Sequence, residues 1–211
     1  QSALNYLKST AEIDGETPEL LNDIAFCYER MGDFSKSLRY YERYLDEDPF
    51  NDNVWFNVGT IHARDLRFEK AIEAFDYAIA LNPSNSSVLY NKAIVYVNTD
   101  NFQKGIETFT EFLSQEPGNL FALIGIADAF LAMDNLVDAD KFFREALVID
   151  KDNNEANTGL AFISMLRHDQ FSSLVFLRRV IGREETDYNF LAHQLNITFK
   201  RTSLPEFLLF Y

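Results

Sequence analysis

Small and large apolar residues recur along this chain at a spacing of 34 positions. Small residues stand at Ala25, Gly59, Ala93, Ala127 and Ala161, and a second series, Ala3, Ser37, Ala71, Gly105, Ala139 and Ser173, is small at every step. Large residues follow the second series four positions later, at Leu7, Tyr41, Phe75, Phe109, Phe143 and Leu177. A further series, Thr17, Asn51, Asn85, Asn119, Asn153 and Asp187, consists of residues whose side-chain oxygens accept from the orphan N–H groups of a helix's first turn. Pro49, Pro83 and Pro117 stand two residues before three of these caps, where proline ends a preceding helix and keeps the connection extended. The pattern predicts two helices per unit: one of about 14 residues from the cap, a turn such as Gly32-Asp33, Asp100-Asn101 or Asp134-Asn135, and a second amphipathic helix.

Two antiparallel helices approach closely only where neither carries a large side chain, so the two small series mark the crossing within each pair. In the second unit Trp55, Val58, Gly59 and His62 form an i, i+3, i+4, i+7 stripe, faced by Ala71, Phe75 and Ala78. An all-α array is therefore expected, with units at 17–50, 51–84, 85–118, 119–152 and 153–186. Residues 1–16 match only a second helix, so the chain is expected to be a fragment beginning halfway through a unit. The fifth unit diverges, with Asn157 at the tryptophan place and Gln170 where an aromatic is expected. Over 187–211 the phase weakens, because Leu195 and Phe207 occupy places that should be small; a divergent terminal unit or capping helices are expected there. Leu204 to Tyr211 is apolar enough to need cover from the array, a second chain or sequence absent here.

These residues resemble the tetratricopeptide repeat. Trp55, Gly59, Ala71, Phe75, Ala78 and Pro83 match its pattern in order, with His62 in place of the usual tyrosine. The neighbouring units follow through Leu21, Ala25, Tyr28, Tyr41 and Pro49, through Leu89, Ala93, Tyr96, Phe109 and Pro117, and through Leu123, Ala127, Phe130, Ala139, Phe143 and Ala146. The resemblance covers about residues 1–187. It implies a right-handed superhelical solenoid of antiparallel helix pairs in which the first helix of each unit lines a concave side that binds peptides or partner helices.

If the first residue of each first helix is counted as place 1, the stripe left over from the core lies at places 2, 5, 9 and 12. It reads Glu19, Asn22, Phe26, Glu29; then Asn53, Phe56, Thr60, Ala63; then Ser87, Tyr90, Ile94, Val97; then Phe121, Ile124, Asp128, Leu131; then Glu155, Thr158, Phe162, Met165. Acid sits at the ends and apolar surface in the middle, which suits an amphipathic partner with basic ends: anchors against Phe56, Tyr90, Ile94, Phe121 and Ile124, cations toward Glu19, Glu29 and Asp128. The competing reading is self-packing, in which neighbouring first helices cover one another or the C-terminal apolar segment folds across the face; the groove fails if Phe121 and Tyr90 are fully buried. Within the family, Asn57 and Asn91 fit the asparagine place of the carboxylate clamp for chaperone tails. Its basic partners are replaced by Phe56, Ser87, Phe121 and Gly125, which argues against that ligand. Either asparagine can bond a ligand backbone or a neighbouring helix.

Composition narrows the function. Of 211 residues 47% are apolar and 25% charged, enough for an ordered core. With 33 acidic against 19 basic residues the net charge is −14, which repels phosphate backbones and makes nucleic acid a poor partner. The acidic excess is most simply a solvated outer surface. The apolar stretch Leu120 to Met133 is interrupted by Asp128 and falls short of the ~20 residues of a membrane span. One cysteine forms no internal disulfide, which leaves the compartment open with a lean toward the cytoplasm. Cys27 sits at a small-residue place and reads as packing; His62, His168 and His193 are far apart, and no metal-ligand spacing, phosphate loop or nucleophile–base set is present. Of the sequons at Asn85 and Asn196, the first is explained by capping. The expectation is a non-enzymatic scaffold for a protein or peptide partner, without cofactor or metal. The alternatives are an oligomerisation module acting through 187–211 and the regulatory region of a longer enzyme.

Overall fold

A computed structural model describes residues 2–181, which form eleven α-helices. After α1 (Ser2–Asp14) the helices come in pairs. The first members, α2 (Pro18–Arg30), α4 (Asp52–Arg64), α6 (Ser86–Asn98), α8 (Leu120–Ala132) and α10 (Asn154–Leu166), are 13 residues each. The second members α3 (Phe34–Glu47), α5 (Phe68–Leu81), α7 (Phe102–Gln115) and α9 (Leu136–Ile149) are 14 residues, and α11 runs Gln170–Ile181. The expected cap at Asp187, the expected small places Leu195 and Phe207, His193, the Asn196 sequon and the apolar segment 204–211 lie outside the described residues.

Local chemistry sets the helix ends. The side chains of Thr17, Asn51, Asn119 and Asn153 accept from the backbone N–H three residues on, as do those of Asp33 and Asn135 at the second helices. Between the helices of each pair one residue takes the left-handed conformation: Gly32 (φ 76°), Leu66 (57°), Asp100 (57°), Asp134 (60°) and His168 (58°), again 34 apart. Glycine and aspartate suit that place; Leu66 does not, because its Cβ crowds the following carbonyl.

The small series do what crossing helices require. Ala25, Ala93, Ala127 and Ala161 are fully buried, as are Ser37, Ala71, Ala139 and Ser173, and the Ser37 hydroxyl donates to the Ala25 carbonyl at 2.8 Å. Tyr41, Phe75, Phe109, Phe143 and Leu177 are at most 1% exposed, each contributing ~1.5–3 kcal/mol of burial. Their rings need glycine-sized room. A Cβ on Gly59 would lie 2.5 Å from Phe75, one on Gly125 2.7 Å from Phe109, and one on Gly159 2.3 Å from Phe143. The ring of one pair is thus received by its own first helix and, at Phe109 and Phe143, by the first helix that follows.

The chain divides into two compact units, Gln1–Lys92 and Ala93–Tyr211, with the boundary inside α6. In the first, α2 to α5 surround a core of Leu21, Tyr41, Val54, Ile61 and Ala74, while Leu4 of α1 packs with Ile24, Tyr28 and a half-buried Cys27. In the second, Leu123, Ala127, Phe143, Leu160, Ile163 and Leu177 tie α8 to α11 together. The divergent Asn157 is wholly buried, its amide donating to the carbonyls of Lys151 (3.2 Å) and Asn153 (2.7 Å), so it holds the connecting loop where a large ring packs in the second pair.

Candidate protein-binding face

The leftover stripe of each first helix can be followed within each unit. In the first unit α2 presents Phe26 at 52% exposure. Asn22, Phe56, Thr60 and Tyr90 are half-buried, and Ala63 is inside. Phe56 leans on the buried Phe75, centroids 6.1 Å apart, so one face of its ring belongs to the core. The Thr60 hydroxyl donates to its own helix at the Phe56 carbonyl, 3.0 Å.

The two asparagines spend their amides on the fold. Asn57 donates to the Tyr41 hydroxyl at 3.2 Å, across two helix pairs, where the fourth and fifth pairs have a glycine against a phenylalanine ring. Tyrosine reaches further than phenylalanine, and its hydroxyl, which burial makes harder to ionise, needs this polar partner. Asn91 donates to the Ser87 carbonyl of its own helix at 2.8 Å.

Glu29 was expected to await a partner's cation but already has one. Arg64 of α4 reaches it at 3.0 Å, and only 12% of the Glu29 side chain is exposed. Burial pushes the Glu29 carboxyl up, and Arg64 and Arg30 pull it back. Sequence reading missed this pair; the available signal was an arginine at place 13 following a glutamate at place 12 of the preceding first helix. Glu19 remains exposed.

In the second unit the stripe is more closed than expected. Ile94 is 4% exposed and Ile124 7%, so both form the floor of the face rather than contact surface. Helix α8 is apolar on nearly every side, and α7, α9 and α10 all pack on it, which takes Ala122 to Ala127 inside. Phe121 stays 41% exposed, while Leu131, Phe162 and Met165 of the same stripes are half-buried and pack on the core. Asp128 is half-buried on the same stripe of α8. Among the described residues no hydrogen bond or ion pair reaches it, and burial, with the negative charge of Glu155 adding, raises its carboxyl from 3.8 to about 7.

Other chemistry is sparse among the described residues. No group of three or more His, Cys, Asp or Glu side chains could hold a metal ion, and no helix is long and apolar enough to cross a membrane. His62 lies half-buried with Nδ1 buried and unpartnered, and burial, reinforced by Lys70 and Arg67, lowers its pKa.

The tetratricopeptide repeat family model matches residues 28–86. No curated protein matches the chain. Among solved structures, MamA 41-end from Desulfovibrio magneticus RS-1 is 16% identical over 78% of this chain and 93% of its own, with a TM-score of 0.74. YrrB, a tetratricopeptide repeat protein with an unusual peptide-binding site, is 14% identical over 94% of this chain and 100% of its own, TM-score 0.72. A tetratricopeptide repeat protein from Parabacteroides merdae ATCC 43184 is 18% identical over 88% and 75%, TM-score 0.75. The likeness to these structures is one of fold.

Proposed function

We propose that this chain, a tetratricopeptide repeat protein, is a non-enzymatic interaction scaffold that holds a segment of another protein against the inner stripes of its first helices. The observation that carries this reading is the exposure of Phe26 and Phe121, large rings at places 9 and 2 of a stripe whose other apolar members are buried or half-buried. Tyr90, the other residue on which the groove depends, is also partly exposed. Within the first unit an amphipathic segment would bury anchors on Phe26, Phe56 and Tyr90; within the second, the anchor would seat on Phe121. Basic ends would suit Glu19 and Asp128, which no cation reaches among the described residues, whereas Glu29 is satisfied by Arg64. Asn57 and Asn91 retain side-chain carbonyls that can accept from a ligand backbone, with their amides committed to the fold. The likeness to YrrB supports a peptide ligand by analogy of fold.

The test is retention of a partner by the immobilised full chain, compared with Phe26→Asp and Phe121→Asp. These exposed positions tolerate charge, so both variants should fold with unchanged helicity. Binding should fall by at least about tenfold in one or both. Partners retained equally by the double variant would refute the inner-stripe reading.

A further inference from the structure

The two units treat their inner-face acids differently. In the first, Glu29 is neutralised by Arg64 from the next first helix. In the second, α8 and α10 contain no lysine or arginine at all, and the place that supplies Arg64 is Ala132 on one and Leu166 on the other. Cations on the surrounding elements are engaged elsewhere. Arg144 of α9 and Arg167 after α10 both reach Asp140, Lys141 lies 3.9 Å from Glu145, Lys104 of α7 lies over the Tyr96 ring, and Arg179 of α11 lies over Phe176. Glu155 of α10 is the charged group that acts on Asp128, and it is of like sign. Two half-buried carboxylates on the inner stripes of α8 and α10 thus lack a counter-ion among the described residues, on stripes that also carry Phe121, Phe162 and Met165.

We propose that the inner face of the second unit receives one lysine or arginine side chain of the bound segment between Asp128 and Glu155, its apolar neighbours seating on Phe121 and Phe162. This rests on the groove reading above and names the contact that gives it charge selectivity. A cation placed there replaces the water that Asp128 has lost and reverses the field of Glu155, so the carboxyl ionises as the segment docks and a proton leaves. Affinity therefore rises with pH through neutrality and levels off above it.

A random peptide library displayed on phage, panned at pH 8 against the full chain and in parallel against Asp128→Asn, tests this. Wild-type binders should carry one arginine or lysine between apolar residues, a signature missing from the variant's pool. A resynthesised binder should lose about 10–100-fold in affinity when its arginine becomes citrulline. It should lose about 10–30-fold on lowering the pH to 5.5, where few Asp128 carboxyls are ionised. Binders that are lost in Phe121→Asp yet carry no selected cation and bind Asp128→Asn equally would overturn the cation site and leave the groove standing. Absence of any enriched peptide, or binders indifferent to Phe121→Asp, would overturn both.

Discussion

Replacing Asp128 by asparagine should stabilise the protein, and the size of the gain can be worked from its surroundings. The carboxyl ordinarily titrates at 3.8 and here at about 7, because burial among apolar side chains disfavours the charged form and Glu155 adds repulsion. A raised pKa means that the folded state holds its proton more tightly than the unfolded chain. The contribution is thus fully present below the ordinary carboxylate value and is lost as pH rises toward and through 7. At about 1.36 kcal/mol per pKa unit, holding Asp128 ionised at pH 8 costs ~4 kcal/mol, or ~2–4 kcal/mol once relaxation and water entry are allowed for. Asparagine keeps the shape and removes the charge. Urea unfolding at pH 8 should therefore give Asp128→Asn an unfolding free energy higher by ~2–4 kcal/mol, roughly 4–16 °C in Tm. At pH 4 the two proteins should differ by less than about 1 kcal/mol, because the aspartate is then protonated in the fold. Equal stability at both pH values would mean that the carboxylate is solvated, and the charge-pair inference would lose its physical basis.

Three further outcomes follow from packing and backbone geometry. Gly159→Ala places a methyl carbon 2.3 Å from Phe143 and should cost ~1–3 kcal/mol by overpacking; with Phe143→Leu in the same chain the combined loss should be less than the sum, and strict additivity in urea titrations would contradict the contact. Leu66 is 65% exposed at φ 57°, so in urea unfolding Leu66→Asn should raise the unfolding free energy by ~0.5–1 kcal/mol and Leu66→Val should lower it. His62 has its pKa lowered by burial, with Lys70 and Arg67 adding. A depressed pKa gives stability that is present above 6.5 and lost as pH falls below it, so thermal melts between pH 7.5 and 5 should fall more steeply for the wild type than for His62→Tyr, the residue usual at that place. Parallel curves would assign the acid sensitivity to other groups.

The fold was legible in the sequence because a repeat writes one packing solution several times. Ala127 beside Ala139 alone is a weak signal; the same pair of small places recurring every 34 residues, in phase with Asn119 and Asn153 at the caps, leaves helix pairs as the physical solution that satisfies all of them. The left-handed turn place was half legible. Gly32, Asp100 and Asp134 announce it, whereas Leu66 and His168 take the conformation in turns closed by Arg67 N–H donating to the His62 carbonyl and Asp169 N–H donating to the Ser164 carbonyl. The glycines at 125 and 159 were legible as residues and not as receptors for Phe109 and Phe143, since that contact joins successive pairs and no period within one pair reveals it.

The candidate face was less legible for a related reason. Periodicity identifies which stripe the core does not use, but how far that stripe is covered depends on how closely the next first helix approaches. Ile94 and Ile124 disappear into the interior while Phe26 and Phe121, on equivalent stripes, stay partly exposed. Charge pairing is equally a property of neighbours: Glu29, at place 12, meets Arg64 at place 13 of the following first helix, whereas Asp128, at place 9, is reached by no cation among the described residues. A core needs only volume and apolarity at recurrent places, so it survives variation between repeats. A binding face differs from its neighbours by what each repeat changes, which places its information in the departures from the period.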